Sequence, residues 1–281
     1  MKLGSKVAIV CCSNAQLTSY EPKINELLKV LEGIGLEPVC SEFIYEKYSV
    51  FSGTGKERAN ALMNFYKDPE IHAIFDISGG DLGNEVLPYL DFEIIQKSNK
   101  AFWGYSDLTT IINAIYAKTG VSSILYQVRN LIYEDSTNQI ENFKKTILDG
   151  TTDLFQFEYD FIQGKELEGI VVGGNIRCLL KLAGTPYWPN MQDKVLLLEA
   201  MGTNVAQATT YLCQLQQLGV FEQIRGIILG TFSKMEAEKS MPTIVDLVRQ
   251  YIDPHMPIVK TQEIGHGTNS KAIIIGEKIQ L

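Results

Sequence analysis

Short apolar runs and amphipathic stretches alternate along the first 120 residues, and that order leaves few folds open. Val7-Ala8-Ile9-Val10-Cys11-Cys12 is an unbroken apolar run of strand length. Tyr20 to Gly33 then places Ile24, Leu27, Leu28 and Leu31 at the three-and-four spacing of a helix with one buried face, closed by glycine. The pattern recurs. Gly35 to Cys40 begins a second strand, Lys56 to Tyr66 is helical through Ala59, Leu62, Met63 and Tyr66, and His72 to Ile77 is a third apolar strand. Glu85 to Leu90 and Phe92 to Gln96 predict short helices, Lys100 to Trp103 a strand, and Leu108 to Lys118 a long helix stopped by Gly120. Repeated strand-helix-strand order predicts a parallel sheet with helices on both faces, and ligands of such sheets bind beyond the carboxyl ends of the strands.

From residue 133 to 166 the chain becomes rich in Asn, Thr, Asp and Gln and poor in aliphatics, which places a linker there. The expected organisation is an α/β protein with a parallel-sheet, flavodoxin-like domain over 1–132 and a second α/β or α+β domain over 167–281. That second domain carries the strand-like runs Leu167 to Val172, Val195 to Leu198, Ile227 to Leu229 and Ala272 to Ile275, and a helix from Ala206 to Leu218. Lysine and arginine number 25 against 33 acidic residues, a formal charge of −8, with no basic cluster, which argues against a nucleic-acid partner. Val7 to Cys12 is too short for the apolar core of a signal peptide or for a membrane span. Cys11, Cys12, Cys40, Cys178 and Cys213 contain no C-x-x-C pair and read as reduced, mostly buried thiols of a cytoplasmic protein, although Cys11 or Cys12 could be a nucleophile just after a strand.

Chemistry concentrates in a few segments. Lys100 to Leu108 puts Gly104-Tyr105-Ser106-Asp107 between a buried strand and a helix start, which resembles a nucleophile elbow with Leu108 in place of the second glycine. The plainer reading is a helix N-cap at Ser106 or Asp107. A nucleophilic serine needs a base and a group that orients the base. Of the three histidines, His72 opens an apolar strand and His255 sits between prolines, whereas His266 lies in the glycine-flanked turn Gly265-His266-Gly267. Glu199 ends the apolar strand Val195 to Leu198, where an ionised carboxylate calls for a partner. Ser78-Gly79-Gly80-Asp81-Leu82-Gly83 is a glycine-rich loop whose amides could hold a phosphate or an oxyanion, without the Rossmann spacing or the Walker lysine.

Taken in order, these segments resemble the LD-carboxypeptidase family of serine peptidases, which also contains the microcin C immunity peptidases. The resemblance runs through Phe51-Ser52-Gly53-Thr54, Glu57-Arg58-Ala59, Asp68-Pro69, Gly79-Gly80, Leu87-Pro88-Tyr89-Leu90-Asp91 and Gly104-Tyr105-Ser106-Asp107-Leu108-Thr109. In the second half it continues through Gly173-Gly174-Asn175, Leu182-Ala183-Gly184-Thr185-Pro186-Tyr187, Leu197-Leu198-Glu199 and Gly265-His266. It implies a Ser106 nucleophile, a His266 general base and acid, and Glu199 orienting the imidazole, with the active site in the interdomain cleft. It further implies oxyanion donors at the backbone amides of Gly80 and Asp107, a homodimer, and no cofactor or metal.

The implied reaction is hydrolysis of an LD-peptide bond that releases the terminal D-alanine from cytoplasmic murein tetrapeptides in wall recycling. The alternatives are cleavage of peptidyl-nucleotides, as by the immunity peptidases, and a small-ligand binding protein that keeps the fold without turnover. Departures bear on the substrate. Where the family carries Arg-Gly-Gly-Tyr-Gly, this chain has Ser78-Gly79-Gly80-Asp81-Leu82-Gly83, and the Gly202-Thr203-Asn204 turn lacks the lysine of a nucleotide pocket. Asp81, Arg129 and Arg177 are the expected substrate contacts, the two arginines as substitutes for the missing cation.

Overall fold

The apolar runs do become strands, and a computed structural model describing all 281 residues arranges them as two sheets. In the first half lie β1 (Ser5–Val10), α1 (Glu21–Ile34), β2 (Leu36–Cys40), α2 (Gly55–Lys67), β3 (Ile71–Asp76), α3 (Phe92–Lys97), β4 (Ala101–Gly104), α4 (Thr109–Thr119) and β5 (Ser123–Leu125). Then follow α5 (Ser136–Lys144), β6 (Asp160–Gln163), β7 (Glu168–Asn175), α6 (Ile176–Leu180), β8 (Lys194–Ala200), α7 (Val205–Gln217) and β9 (Gly226–Phe232). Two short helices, α8 (Ser233–Ala237) and α9 (Ile244–Val248), precede β10 (Ile258–Lys260), β11 (Ile273–Ile275) and β12 (Lys278–Gln280).

Local chemistry explains the boundaries. Thr54 and Glu57 form a reciprocal capping box at the start of α2, as Asn204 and Gln207 do for α7, and Gly35 and Gly120 close α1 and α4 in the left-handed conformation. Glu85 to Leu90, expected as a helix, lies in a 3-10 segment, Gly83–Tyr89, with Pro88 inside it.

The first sheet runs β2-β1-β3-β4-β5 in parallel, the doubly wound order expected, and β11 adds to β5 as an antiparallel edge. The second runs β7-β8-β9-β10 in parallel between antiparallel edges β12 and β6. Strand β11 contains most of the run Ala272 to Ile275, which the sequence places with the second half, yet it pairs with the first sheet. The stretch 133–166, expected as a linker, holds α5 and β6, and its Phe143 and Ile147 are buried in the core beneath the first sheet.

One apolar core is common to both halves. Leu108, Ile111, Ile112 and Ile115 of the α4 region pack in one cluster with Val171, Val195 and Leu197 of the second sheet. Polar bonds reinforce the seam: Asn113 Nδ2 donates to Gly173 O at 2.9 Å, Gly173 N donates to Asn113 Oδ1 at 2.8 Å, and Asn175 N donates to Thr109 Oγ1 at 3.0 Å. Gly174 is glycine for a steric reason, since a Cβ there would lie 2.7 Å from Thr109 Oγ1. The carboxyl ends of the two sheets are thereby fixed against each other around one cleft. No helix is long and apolar enough to cross a membrane.

Candidate active site

Ser106 leaves β4 on a strained backbone. Its φ of +54° lies in the left-handed region, which costs a non-glycine residue about 1–3 kcal/mol. Gly104 permits the sharp exit, because a Cβ there would sit 2.7 Å from Leu108 Cβ. A 3-10 turn, Ser106–Leu108, then leads into α4. Neither Ser106 nor Asp107 caps that helix, whose N-cap is Leu108 without a side-chain bond, so the elbow reading describes the segment and the capping reading does not.

Glu199 and His266 meet behind the serine. Glu199 Oε2 lies 2.6 Å from His266 Nδ1, with side chains only 2% and 6% exposed, so the imidazole compensates a carboxylate that would otherwise be stranded in the core. Two glycines make this approach possible. A Cβ on Gly230 of β9 would lie 3.1 Å from Glu199 Cβ and 2.4 Å from Ile264 O, and Gly265, at φ +144°, has Thr231 Oγ1 2.0 Å from where its Cβ would be. The His266 loop is tied to the first half: Gln139 Nε2 donates to Thr268 O and Ser270 O, each at 3.0 Å. The imidazole also packs on Tyr105, ring centroids 5.0 Å apart. With Nδ1 engaged by Glu199, Nε2 is the nitrogen left to exchange a proton. Ser106 and the imidazole line the same cleft without a direct hydrogen bond, the loose spacing common where substrate tightens the catalytic contact.

The glycine loop faces Ser106 across this cleft. Asn14 N donates to Gly79 O at 3.1 Å, and the trans peptide sends Gly80 N–H the opposite way, where it has no protein acceptor. Gly80 has φ +117°, and a Cβ on it would overlap the Asn14 amide at 2.3 Å. The Asp107 side chain turns back under the loop, accepting from Ser13 Oγ at 2.6 Å and Gly83 N at 2.7 Å.

The three residues expected to contact substrate separate into two groups. Asp81 and Arg177 form an ion pair with each other across the seam, and Arg177 Nη2 also donates to Gly80 O at 3.0 Å. Arg129 instead lines the cleft with Ser106 and His266, while Glu199 and Lys271 line the narrow pocket behind Ser106. Its side chain donates to Gln16 Oε1 at 3.3 Å and lies against the Tyr105 hydroxyl, its buried Nε has no partner, and no carboxylate pairs with it. The cleft encloses about 500 Å³, with Tyr20, Tyr105, Tyr133 and Met201 among its walls.

The remaining candidates lie elsewhere. His72 and His255 are exposed and outside the cleft. Cys11 and Cys12 are buried, and burial together with Asp76 pushes both thiols well above their ordinary pKa, which removes them as nucleophiles. Sequence reasoning missed Ser13, Asn14, Gln139 and Lys181, none of which sits in a recognisable motif.

Comparison with known proteins identifies the family and the fold. Residues 7–126 match the profile of the LD-carboxypeptidase N-terminal domain, and residues 168–281 that of the LD-carboxypeptidase C-terminal domain. A probable murein peptide carboxypeptidase of Bacillus subtilis is 27% identical over 91% of this chain and 83% of its own. An MccF-like protein from Bacillus anthracis superposes with a TM-score of 0.88 at 26% identity, over 100% of this chain and 94% of its own. A muramoyltetrapeptide carboxypeptidase from Oxalobacter formigenes superposes with a TM-score of 0.78 at 20% identity, over 98% and 94%.

Proposed function

This chain belongs to the LD-carboxypeptidase family of serine peptidases, and on that premise we propose that it releases the terminal D-alanine from murein tetrapeptides with Ser106, His266 and Glu199 as its triad. The observation that carries this reading is the buried 2.6 Å contact between Glu199 and His266 in the cleft that the strained Ser106 also lines. His266 Nε2 takes the proton from Ser106 Oγ as the oxygen attacks the carbonyl before the D-residue. Glu199 holds the ring and stabilises the imidazolium. The amides of Gly80 and Asp107 receive the oxyanion. Nε2 then protonates the leaving amine, and water attacks the acyl-enzyme by the same route in reverse.

Arg129 accounts for the carboxypeptidase character. A guanidinium without an acidic partner, in a cleft whose one carboxylate, Glu199, is taken up by His266, is a receptor for a terminal carboxylate. A cation there favours peptides with a free carboxyl end over internal bonds. The murein substrate is supported by the name of the Bacillus subtilis relative.

The test is release of D-alanine from L-Ala-D-Glu-meso-diaminopimelate-D-Ala, read by mass spectrometry for wild type and Ser106→Ala, beside an aminoacyl sulfamoyl-adenylate. Wild-type release that Ser106→Ala abolishes is expected. Turnover of the adenylate alone assigns the chain to peptidyl-nucleotide cleavage, and equal activity in Ser106→Ala removes the triad.

A further inference from the structure

The second half of the molecule reaches the oxyanion site through two cations that the triad does not use. Arg177, on α6, and Lys181, immediately after it, both point into the first half. Arg177 pairs with the Asp81 carboxylate and donates to Gly80 O, while Lys181 Nζ donates to Asp81 O at 2.9 Å and pairs with Asp107 Oδ1 at 2.5 Å. The two residues that offer oxyanion amides, Gly80 and Asp107, are therefore both gripped by one short segment of the other half.

Each contact has a separate physical consequence. Gly80 is pinned on both sides, by Asn14 N on the preceding carbonyl and by Arg177 on its own, so its N–H direction is set before substrate arrives. The Asp107 side chain is fully buried next to the serine, where an unpaired negative charge would oppose a developing oxyanion. Lys181, 18% exposed, neutralises it from behind. The other Asp107 oxygen accepts from Ser13 Oγ and Gly83 N, so the same ion pair also braces the loop that carries Gly80.

We infer that Arg177 and Lys181 are positioning residues, an interdomain clamp that holds the Gly80 and Asp107 amides in register and cancels the Asp107 charge. The inference rests on the proposal that these two amides form the oxyanion hole. The clamp has an inner and an outer member. The Lys181–Asp107 pair is shielded from solvent, whereas in the outer pair Arg177 is 40% and Asp81 64% exposed, so salt screens the outer contact and spares the inner one.

The experiment measures the rate at which a fluorophosphonate labels Ser106, together with kcat and KM for the tetrapeptide, in wild type, Lys181→Met, Lys181→Arg, Arg177→Gln and Ser106→Ala. Circular dichroism and the unfolding midpoint check that each is folded. A phosphonate oxygen occupies the same hole as the tetrahedral intermediate, so labelling reads the amides directly. Lys181→Met is expected to slow labelling and lower kcat by about 30–100-fold with KM within about twofold, and Lys181→Arg to restore most of both. Arg177→Gln is expected to cost about 3–10-fold and to abolish the part of the wild-type labelling rate that falls between 50 and 500 mM salt. Should Lys181→Met not fold, Arg177→Gln and its salt dependence decide alone. Labelling at the wild-type rate in the folded variants, or a loss carried entirely by KM, overturns the clamp while the triad stands. Wild type that is not labelled at Ser106, or Ser106→Ala that is, overturns the triad and the clamp together.

Discussion

The two halves of this molecule contribute different things to one cleft. The first half contributes backbone: the left-handed Ser106, the Gly80 amide and the glycine at 104 that allows the elbow. From the second come charged and ionisable side chains: Glu199 and His266 at the cleft, and Arg177 and Lys181 behind its glycine loop. Arg129 is the one cation that the first half brings to the cleft. Backbone features are encoded over a few consecutive residues, whereas a charge acquires its meaning only from what faces it. The elbow is accordingly recognisable in one stretch of sequence, and the clamp is not.

That contrast can be broken from either side. The largest effect is expected in the second half, where His266→Ala should lower kcat/KM by about 10⁴-fold or more, since it removes the only base at the cleft, and should also lower the unfolding midpoint, since it strands the buried Glu199 carboxylate. Steady-state hydrolysis beside an unfolding curve reads both. On the backbone side, Gly80→Ala should lower kcat by about 10²-fold, because its Cβ would overlap Asn14 and turn the amide away. A loss confined to KM there would mean that the loop binds substrate rather than an oxyanion.

Arg129→Gln sharpens the comparison at the remaining charge. It should raise KM about tenfold for a peptide with a free carboxyl terminus and leave the carboxamide analogue, already poor, unchanged. Equal losses on both peptides would remove the carboxylate contact. The smallest effect concerns Asp76, beneath the Ser13–Asn14 loop. It accepts from Cys12 N at 2.8 Å and from Ser78 N and Oγ at 2.8 and 2.6 Å, and burial pushes its carboxyl above the ordinary range against those bonds. A carboxyl raised in the folded state keeps its proton where the unfolded chain has lost it, so this group's contribution to stability falls as pH rises from about 4 through the raised value. Asp76→Asn should flatten that part of the dependence of the urea midpoint on pH, and an unchanged slope would show that Asp76 does not carry it.

Much of the fold was legible because parallel strands covered on both faces must be apolar at nearly every position. Val7 to Val10 and Val195 to Leu198 could be read directly for that reason. Ser106 and His266 stood out through glycines that the backbone needs, at positions 104 and 265. The polar stretch 133–166 misled because composition reports average exposure. Gln139, buried and bonded to the His266 loop, is polar there for a partner that is 129 residues away. The edge strand β11 was misplaced because its apolar pattern is the same whichever sheet it joins.

The sequence by itself determined the strand-helix alternation, the elbow at Ser106, the acid that ends β8 and the histidine between glycines, all properties of neighbouring residues and their backbone freedom. Tertiary structure alone decided that Arg177 and Asp81 satisfy each other while no carboxylate faces Arg129 in the cleft, and that Lys181 lies against Asp107. The physical reason is that a charge interacts through space over a few ångströms, and residues 74 or 96 positions apart come within that distance only after two sheets have packed on a shared core.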